Sequence, residues 1–489
     1  ADPSQILGQL NANGVVVLLN PSGVLFGASA RVDVGGLIAA AMRMSDADFM
    51  AGKYLFGQPV VPGKVENLGA LVSREGGFVT LIGATVNNAG QIVTPGGTAA
   101  LVAGDKVTVN LGLTGLVSVD VAAGSDAARV DNSGLVAADA VMQREVQRAF
   151  ALVRPPGHHA MRVVHGIRGF CTINIEAVMV EYLRSRYGIK KIAVVDTDVH
   201  HGDGSQDIFW NDPHTLFISL HQDGRTLYPG SGFPQECGGP GALGRTINIP
   251  LPPETSDEGY LYAIEHAVLP ILEDFKPDLI INSAGQDNHF TDPLANMKLS
   301  AQGYAALNAA LQPHIAVLEG GYSIRGALPY VNLGICLALA GMDATEICEP
   351  GWTPEVTRQR PQVGEYIARL CGQVRDVYFH PSAQPTEGEE DNGWWVRRKH
   401  VFYDTDMLRE GQTEAWRLCG QCSGLGQIET ASERVPRSLC VLVPRHACPQ
   451  CRAEARALVE QARKSGRYAH VRVLDGDNVQ AGMAEKTAS

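Results

Sequence analysis

The 489-residue sequence predicts an α/β protein with a parallel sheet, preceded by a right-handed parallel β-helix fragment and followed by a small cysteine-containing α+β domain. Three observations carry this. The first third repeats itself at a period near 20 residues. From about Val141, four short apolar runs alternate with helical patterns. Two CxxC pairs then stand close to the C-terminus. The length allows several domains, and the composition divides them at 1–138, 139–380, an acidic linker 381–393, and 394–489.

Residues 1–138 are short apolar runs broken by Gly and Asn, such as GVVVLL, GVLFG and GGFVTLIG, with one helical stretch expected within 36–49. VENLGALV from Val65 returns 21 residues later as VNNAGQIV from Val86, with Gly76-Gly77 echoed by Gly96-Gly97; VDNSGLV follows from Val130. Stacked coils explain such a period, with Gly and Asn taking left-handed corners; an antiparallel β-sandwich is the alternative. Asn20-Pro21-Ser22-Gly23, Leu25-Phe26-Gly27 and Val34-Gly35-Gly36-Leu37 resemble the filamentous haemagglutinin secretion domain of two-partner secretion exoproteins.

In the second segment KKIAVVDTD, HTLFISLH, PDLIINSAG and HIAVLEGG read as strands, separated by the helical patterns INIEAVMVEYLRSRYG and YLYAIEHAVLPILEDF. Such alternation implies a parallel sheet whose ligand site lies at the C-terminal strand ends. Polar residues gather there. In an extended segment Asp196, Asp198 and His200 share a side, and Asp287 follows another strand. Two carboxylates and an imidazole suit a divalent metal with an open position. His158-His159 follow Arg154-Pro155-Pro156-Gly157.

RPPGHHA, GFCTINIEAV, VVDTDVHHGDG, SLHQDGRTLYPGSG, INSAGQDNH and LEGGYSIRGALPYVNLG resemble the zinc-dependent histone deacetylase family over about 141–380, acetylpolyamine amidohydrolase-like members included. The resemblance implies an arginase/deacetylase-like fold, truncated at its N-terminal side: members carry well over a hundred residues before RPPGHH, where this chain has the repeats. It implies zinc on Asp198, His200 and Asp287, and a dyad of His158 and His159 oriented by Asp196 and Asp203. Tyr322 would stabilise the reacting oxygen. A tunnel is implied along Phe170, Tyr228, Gly320 and Gly321, with a potassium ion on Asp196, Asp198, His200 and the main-chain oxygens of Ser219 and Leu220. The implied reaction is hydrolysis of an N-acetyl or other acyl amide on lysine or a polyamine. Tyr228 and Gln286 stand where apolar residues are common, so a more polar tunnel is expected. The rivals are a secreted β-helix adhesin fragment and a metal-binding inactive pseudo-deacetylase.

After Met342 the helical pattern thins; TPEVTRQRPQ reads as a loop and PSAQPTEGEEDNG as the acidic linker. Cys419, Cys422, Cys448 and Cys451 have zinc-ribbon spacing and form a second zinc candidate; a redox thiol at a helix N-terminus and unliganded thiols are the alternatives. Trp394-Trp395 with VRRKH reads as a domain edge. A formal charge of −12 gives no global case for nucleic-acid binding, and no apolar run is long enough for a membrane helix. The opening ADPSQILGQL lacks a secretory pattern, which predicts a cytoplasmic protein, with secretion the outcome if a leader precedes it. Oligomeric state is left open.

Overall fold

The computed structural model describes residues 2–57, 63–88, 90–94, 98–103, 106–111, 117–123, 129–131, 133–381 and 387–477. Gly96-Gly97, Asn132 of the third repeat and positions 382–386 of the expected linker lie outside them. Two compact units form, Ala1–Val136 and Ala137–Ser489.

In the first unit the repeats stack as parallel coils. Lys64–Asn67 pairs with Thr85–Asn88, placing Val65 on Val86, and Thr85–Asn88 pairs in turn with Arg129–Asp131, placing Val86 on Val130. Two more parallel ladders run through Gln9–Asn11, Arg31–Val34, Ala70–Ser73 and Gln91–Val93, and through Val15–Leu19, Gly36–Ala40, Phe78–Gly83 and Thr98–Ala103. The enclosed core holds Phe26, Val32, Leu37, Val65, Leu71, Leu81 and Val86. Gly23 and Gly76 take the expected positive φ, at +126° and +72°, whereas Gly69 and Gly90 have a different cause. Gly69 avoids the left-handed region, but a Cβ there would lie 2.7 Å from the Ala30 carbonyl oxygen, and one on Gly90 would strike Gly69. Close approach of neighbouring coils, rather than positive φ, requires those glycines. Buried Asn67 donates to Asn88 Oδ1 at 2.7 Å and accepts from Gly69 N at 3.1 Å.

Two expectations for this unit are corrected. Gly36–Ala40 is a fully buried strand and only Asp46–Met50 is helical, capped by Ser45; a continuous apolar run does not separate the two states by periodicity. An antiparallel sheet of Tyr54–Gly57, Lys106–Leu111 and Val117–Ala123 also interrupts the repeat. Its Phe56, Val107 and Val109 pack with Ile38, Phe78 and Ile82.

The second unit contains a six-stranded parallel sheet ordered Ala149–Ala151, Ile315–Val317, Leu279–Ser283, Ile192–Asp196, Thr215–Gln222, Thr246–Leu251. The four runs read as strands are its centre. Both expected helices form, Ile175–Tyr187 and a continuous Asp257–Phe275. The latter takes a π-turn over Ile264–Val268, immediately before Pro270, which lacks the N–H an α-turn needs. A further helix, Pro361–Phe379, begins in the last two residues of the TPEVTRQRPQ stretch expected to be loop. Val363, Ile367, Leu370, Cys371, Val374 and Tyr378 recur at helical spacing and join the core. Pro361 reads as a breaker in sequence, yet at the first helical position it begins the element.

The C-terminal sheet runs Glu389–Asp391, Trp394–Tyr403, Leu408–Arg417, Gly426–Ser432, Ser438–Val443, His470–Asp475, antiparallel until its last, parallel pair. Part of the expected linker is thus strand. The stretch around Trp395, expected as a domain edge, turns alternate residues inward, while the Arg398 side chain between them is 71% exposed. Trp395 is buried, and Arg397 and Lys399, two apart on one face, meet Glu414 Oε2 at 2.7 and 3.0 Å. Lys399 also contacts Asp207 of the helix Asp203–Phe209, and Arg397 stacks on Trp210 at 4.1 Å. Burial opposes ionisation of Glu414, but Arg397 and Lys399 outweigh it and hold its carboxyl down to about 2. A depressed carboxyl contributes stability that is present above its ordinary value of 4.5 and lost as pH falls towards 2. Glu414→Gln leaves two buried cations with a weaker partner. It is expected to cost about 3 kcal/mol at neutral pH and to flatten the acid limb of the stability curve, both measurable by urea unfolding across pH.

Candidate metal and catalytic site

The site forms where the central strands end. Asp196 closes the strand Ile192–Asp196, and the turn after it carries Asp198 and His200; Asp287 follows the neighbouring strand Leu279–Ser283. His200 Nδ1 lies 3.1 Å from both Asp198 Oδ1 and Asp287 Oδ2. All three side chains are buried, and their ligand atoms fall within 4.8 Å of one another. Two buried carboxylates facing one imidazole call for a positive charge between them. Asp287 is pushed up to about 6 by burial and by the Asp198 charge, while His200 is raised to about 10 against its burial by hydrogen bonds to Asp198 and Asp287. The His200 proton thus satisfies the need a divalent cation would satisfy, and the donor set fits zinc. Gly320 N donates to Asp198 Oδ2 at 2.6 Å, and any Cβ on Gly320 would collide with both ligand carboxylates. Gly320 therefore lies directly against the two carboxylates. Gly321, at φ +126°, turns the chain outward to Tyr322.

His158 and His159 stand beside this set with ring centroids 4.2 Å apart. Each has its own carboxylate: His158 Nδ1 to Asp196 Oδ2 at 3.0 Å, and His159 Nδ1 to Asp203 Oδ1 at 2.7 Å. Burial opposes a charge on His158, but Asp198 and Asp196 outweigh it and hold its pKa well above the usual imidazole value. Burial and the His158 charge push His159 down to about 3. The neutral imidazole is therefore His159.

Tyr322 is half-buried, with its ring 5.7 Å from Phe170. Burial, Asp287 and Asp198 raise its hydroxyl above the ordinary range, so it stays a donor. Phe170 is 55 % exposed and Tyr228 lies 5.2 Å from His159, so the two sit at the mouth and deeper in the cleft respectively. Gln286 is fully buried and donates to Asn332 at 2.6 Å. Of the groups named for potassium, Asp196 and Ser219 are cross-strand partners, and the Leu220 carbonyl accepts the Tyr260 hydroxyl at 3.1 Å.

Several contributors have no clear mark in the sequence. Glu319 Oε2 accepts from the N–H groups of Gly157 and His158 at 2.7 and 3.1 Å, holding the dyad's main chain. Arg168 pairs with Asp203, and Asp292 accepts from Tyr322 N at 2.7 Å. Glu319 lies within LEGGYSIRGALPYVNLG and Arg168 beside GFCTINIEAV, the only signal that could have found them; Asp292 carries none. His158, Cys171 and Glu319 form a second group of close ligand atoms. There burial raises the Cys171 thiol, Asp196 occupies His158 Nδ1 and backbone amides occupy Glu319 Oε2 but not Oε1.

The cysteines converge as well. Sγ separations are 3.8 Å for Cys419–Cys448 and 3.7 Å for both Cys419–Cys422 and Cys422–Cys451. A tetrahedron with zinc–sulfur bonds of about 2.3 Å has edges of ~3.8 Å. Cys448 caps the helix Pro449–Ser465, and all four are free thiols. Among the described residues no helix is long and apolar enough to cross a membrane.

Comparison with known proteins finds two families in the chain. Residues 117–332 match the histone deacetylase domain and residues 1–151 the TPS secretion domain. A probable deacetylase of Archaeoglobus fulgidus is 50% identical over 252 residues, covering 49% of this chain and 68% of the relative. A histone deacetylase-like amidohydrolase of Pseudomonas aeruginosa is 37% identical over 42% of this chain and 56% of its own length. For the chloroplastic histone deacetylase 14 of Arabidopsis thaliana the figures are 37%, 42% and 49%. The chain thus spans about half to two thirds of these relatives. With half of the 252 matched residues identical to a probable deacetylase of which the chain covers 68%, the chain belongs to the histone deacetylase family.

Proposed function

We propose that the protein hydrolyses N-acetyl or other short acyl amides on lysine side chains or polyamines, with zinc held by Asp198, His200 and Asp287. The observation that supports this most is the adjacency of that donor set to two histidines, each tied to a carboxylate of its own. When bound, zinc supplies Lewis acidity, polarising the acyl carbonyl and lowering the pKa of water from 15.7 towards ~7. His159, neutral and held at Nδ1 by Asp203, presents Nε2 to take the proton of the attacking water. His158, kept charged by Asp198 and Asp196, stabilises the negative charge that develops, and the dyad returns a proton to the departing amine. The Tyr322 hydroxyl donates to the acyl oxygen. Phe170 and Tyr228 flank the path of the acyl-bearing stem. A second, structural zinc on Cys419, Cys422, Cys448 and Cys451 is supported by their near-tetrahedral sulfur spacing.

The test is metal analysis combined with turnover of a fluorogenic acetyl-lysine peptide and an acetylpolyamine. His159→Ala is expected to lower kcat about 10³-fold with zinc content unchanged; unchanged activity would overturn the assignment. Tyr322→Phe is expected to lose about 10²- to 10³-fold, chiefly in kcat. Zinc without turnover on any acyl amine would identify an inactive metal-binding relative. The match of residues 1–151 to the TPS secretion domain favours a second reading for that unit alone, as an export or adhesion scaffold.

A further inference from the structure

The C-terminal sheet contacts residues beside the proposed catalytic groups from 176 to 239 residues away in sequence. Its strands Trp394–Tyr403 and Leu408–Arg417 form a hairpin whose turn begins at Asp404. The Asp404 carboxylate accepts from the Tyr228 hydroxyl at 2.7 Å and from Gly169 N at 3.0 Å. Thr405 Oγ1 donates to its other oxygen at 3.1 Å. These partners occupy both carboxylate oxygens, so the group is committed to protein contacts. Next to it, Asp406 Oδ2 accepts from Ile167 N at 2.6 Å and the Phe402 carbonyl accepts from Arg168 at 2.7 Å.

The contacts to Tyr228, Gly169 and Arg168 lead to one imidazole. Tyr228 stacks edge-on against His159 with centroids 5.2 Å apart. Gly169, at φ +52°, lies so close to the His159 ring that a Cβ would collide with it. Arg168 pairs with Asp203, which holds His159 Nδ1. His159 is therefore enclosed by a tyrosine, a glycine main chain and an aspartate, and each is tied to the hairpin.

We infer that the hairpin around Asp404 is a built part of the catalytic cleft, and that Asp404 is a positioning residue that holds Tyr228 and the Gly169–Phe170 turn against His159. The catalytic segment is then incomplete without the C-terminal sheet. The inference rests on the proposed role of His159 for its kinetic consequence and on geometry alone for its structural one.

Both consequences are measured on the full chain. Asp404→Ala is expected to lower kcat for the acetyl-lysine peptide at least 10-fold, with zinc content unchanged and little change in KM. Asp404→Asn, which keeps an acceptor oxygen, is expected to recover most of the loss. In the Asp404→Ala, Tyr228→Phe double variant the loss is expected to be clearly smaller than the product of the single losses, because the two residues act through one contact. Hydrogen–deuterium exchange of peptides covering 167–171 is expected to accelerate in Asp404→Ala while the strand 192–196 stays protected. Unchanged exchange at 167–171, kcat within twofold of the parent, or losses that multiply would each overturn the role of Asp404. Should the parent chain show no turnover, the functional reading fails, and exchange at 167–171 alone decides whether Asp404 holds the turn.

Discussion

Asp287→Ala is expected to abolish turnover, by at least 10³-fold or about 4 kcal/mol of barrier, and to remove one equivalent of zinc while the cysteine-bound equivalent remains. Two of three ligands would be left, and a site with one imidazole and one carboxylate holds a borderline cation poorly at neutral pH. Asp287 also accepts from Val199 N at 2.9 Å through Oδ1, so part of any effect on folding arises from that main-chain bond. Asp287→Asn separates the two, because the amide oxygen can keep the Val199 contact while the charge is lost. Metal analysis by mass spectrometry, read beside the thermal transition, gives the answer. Full zinc content and turnover in Asp287→Ala would falsify the donor set.

Cys451→Ser should remove the other zinc equivalent and loosen the C-terminal sheet. A structural zinc contributes about 10 kcal/mol or more of apparent binding free energy, and Cys451 is buried among Leu439, Val441 and Ala455, where no water can replace it. The expected result is a fall in melting temperature of about 10 °C, with early proteolytic cleavage within 437–477. Turnover should fall too, because Lys399, Arg397 and Asp404 tie this sheet to the parallel-sheet domain. Cys336→Ser, at an exposed position outside the cluster, is the control and should keep both zinc equivalents. An intact zinc count in Cys451→Ser, or a disulfide between CxxC cysteines under non-reducing mass spectrometry, would point to redox chemistry instead.

Much of the site was legible because its residues are local in sequence. Asp196, Asp198 and His200 lie within five positions at the end of one strand. A parallel sheet brings such strand ends to one edge, so reading the strands was enough to bring Asp287 beside them. The stacked repeats were legible for the same kind of reason: a period of 21 puts Val65 over Val86 whatever surrounds them. The apolar run at Gly36–Ala40 and the helix begun by Pro361 were not, since burial and neighbouring elements decide between strand, helix and loop there.

The sequence by itself pointed to the proposed metal donor set and to the two CxxC pairs, because each comprises short motifs carried on adjacent elements, and the family resemblance supplied the histidine pair with its carboxylates. Only the tertiary structure decided that Gly69 and Gly90 are required by backbone approach rather than by handedness, and that the basic stretch at Arg397 and Lys399 is an internal ion cluster. It alone also set Asp404 against Tyr228 and Gly169, 176 and 235 residues away. Such contacts depend on how two sheets dock. The docking follows from summed burial and charge compensation over many residues, and it leaves no periodic mark at the positions that meet.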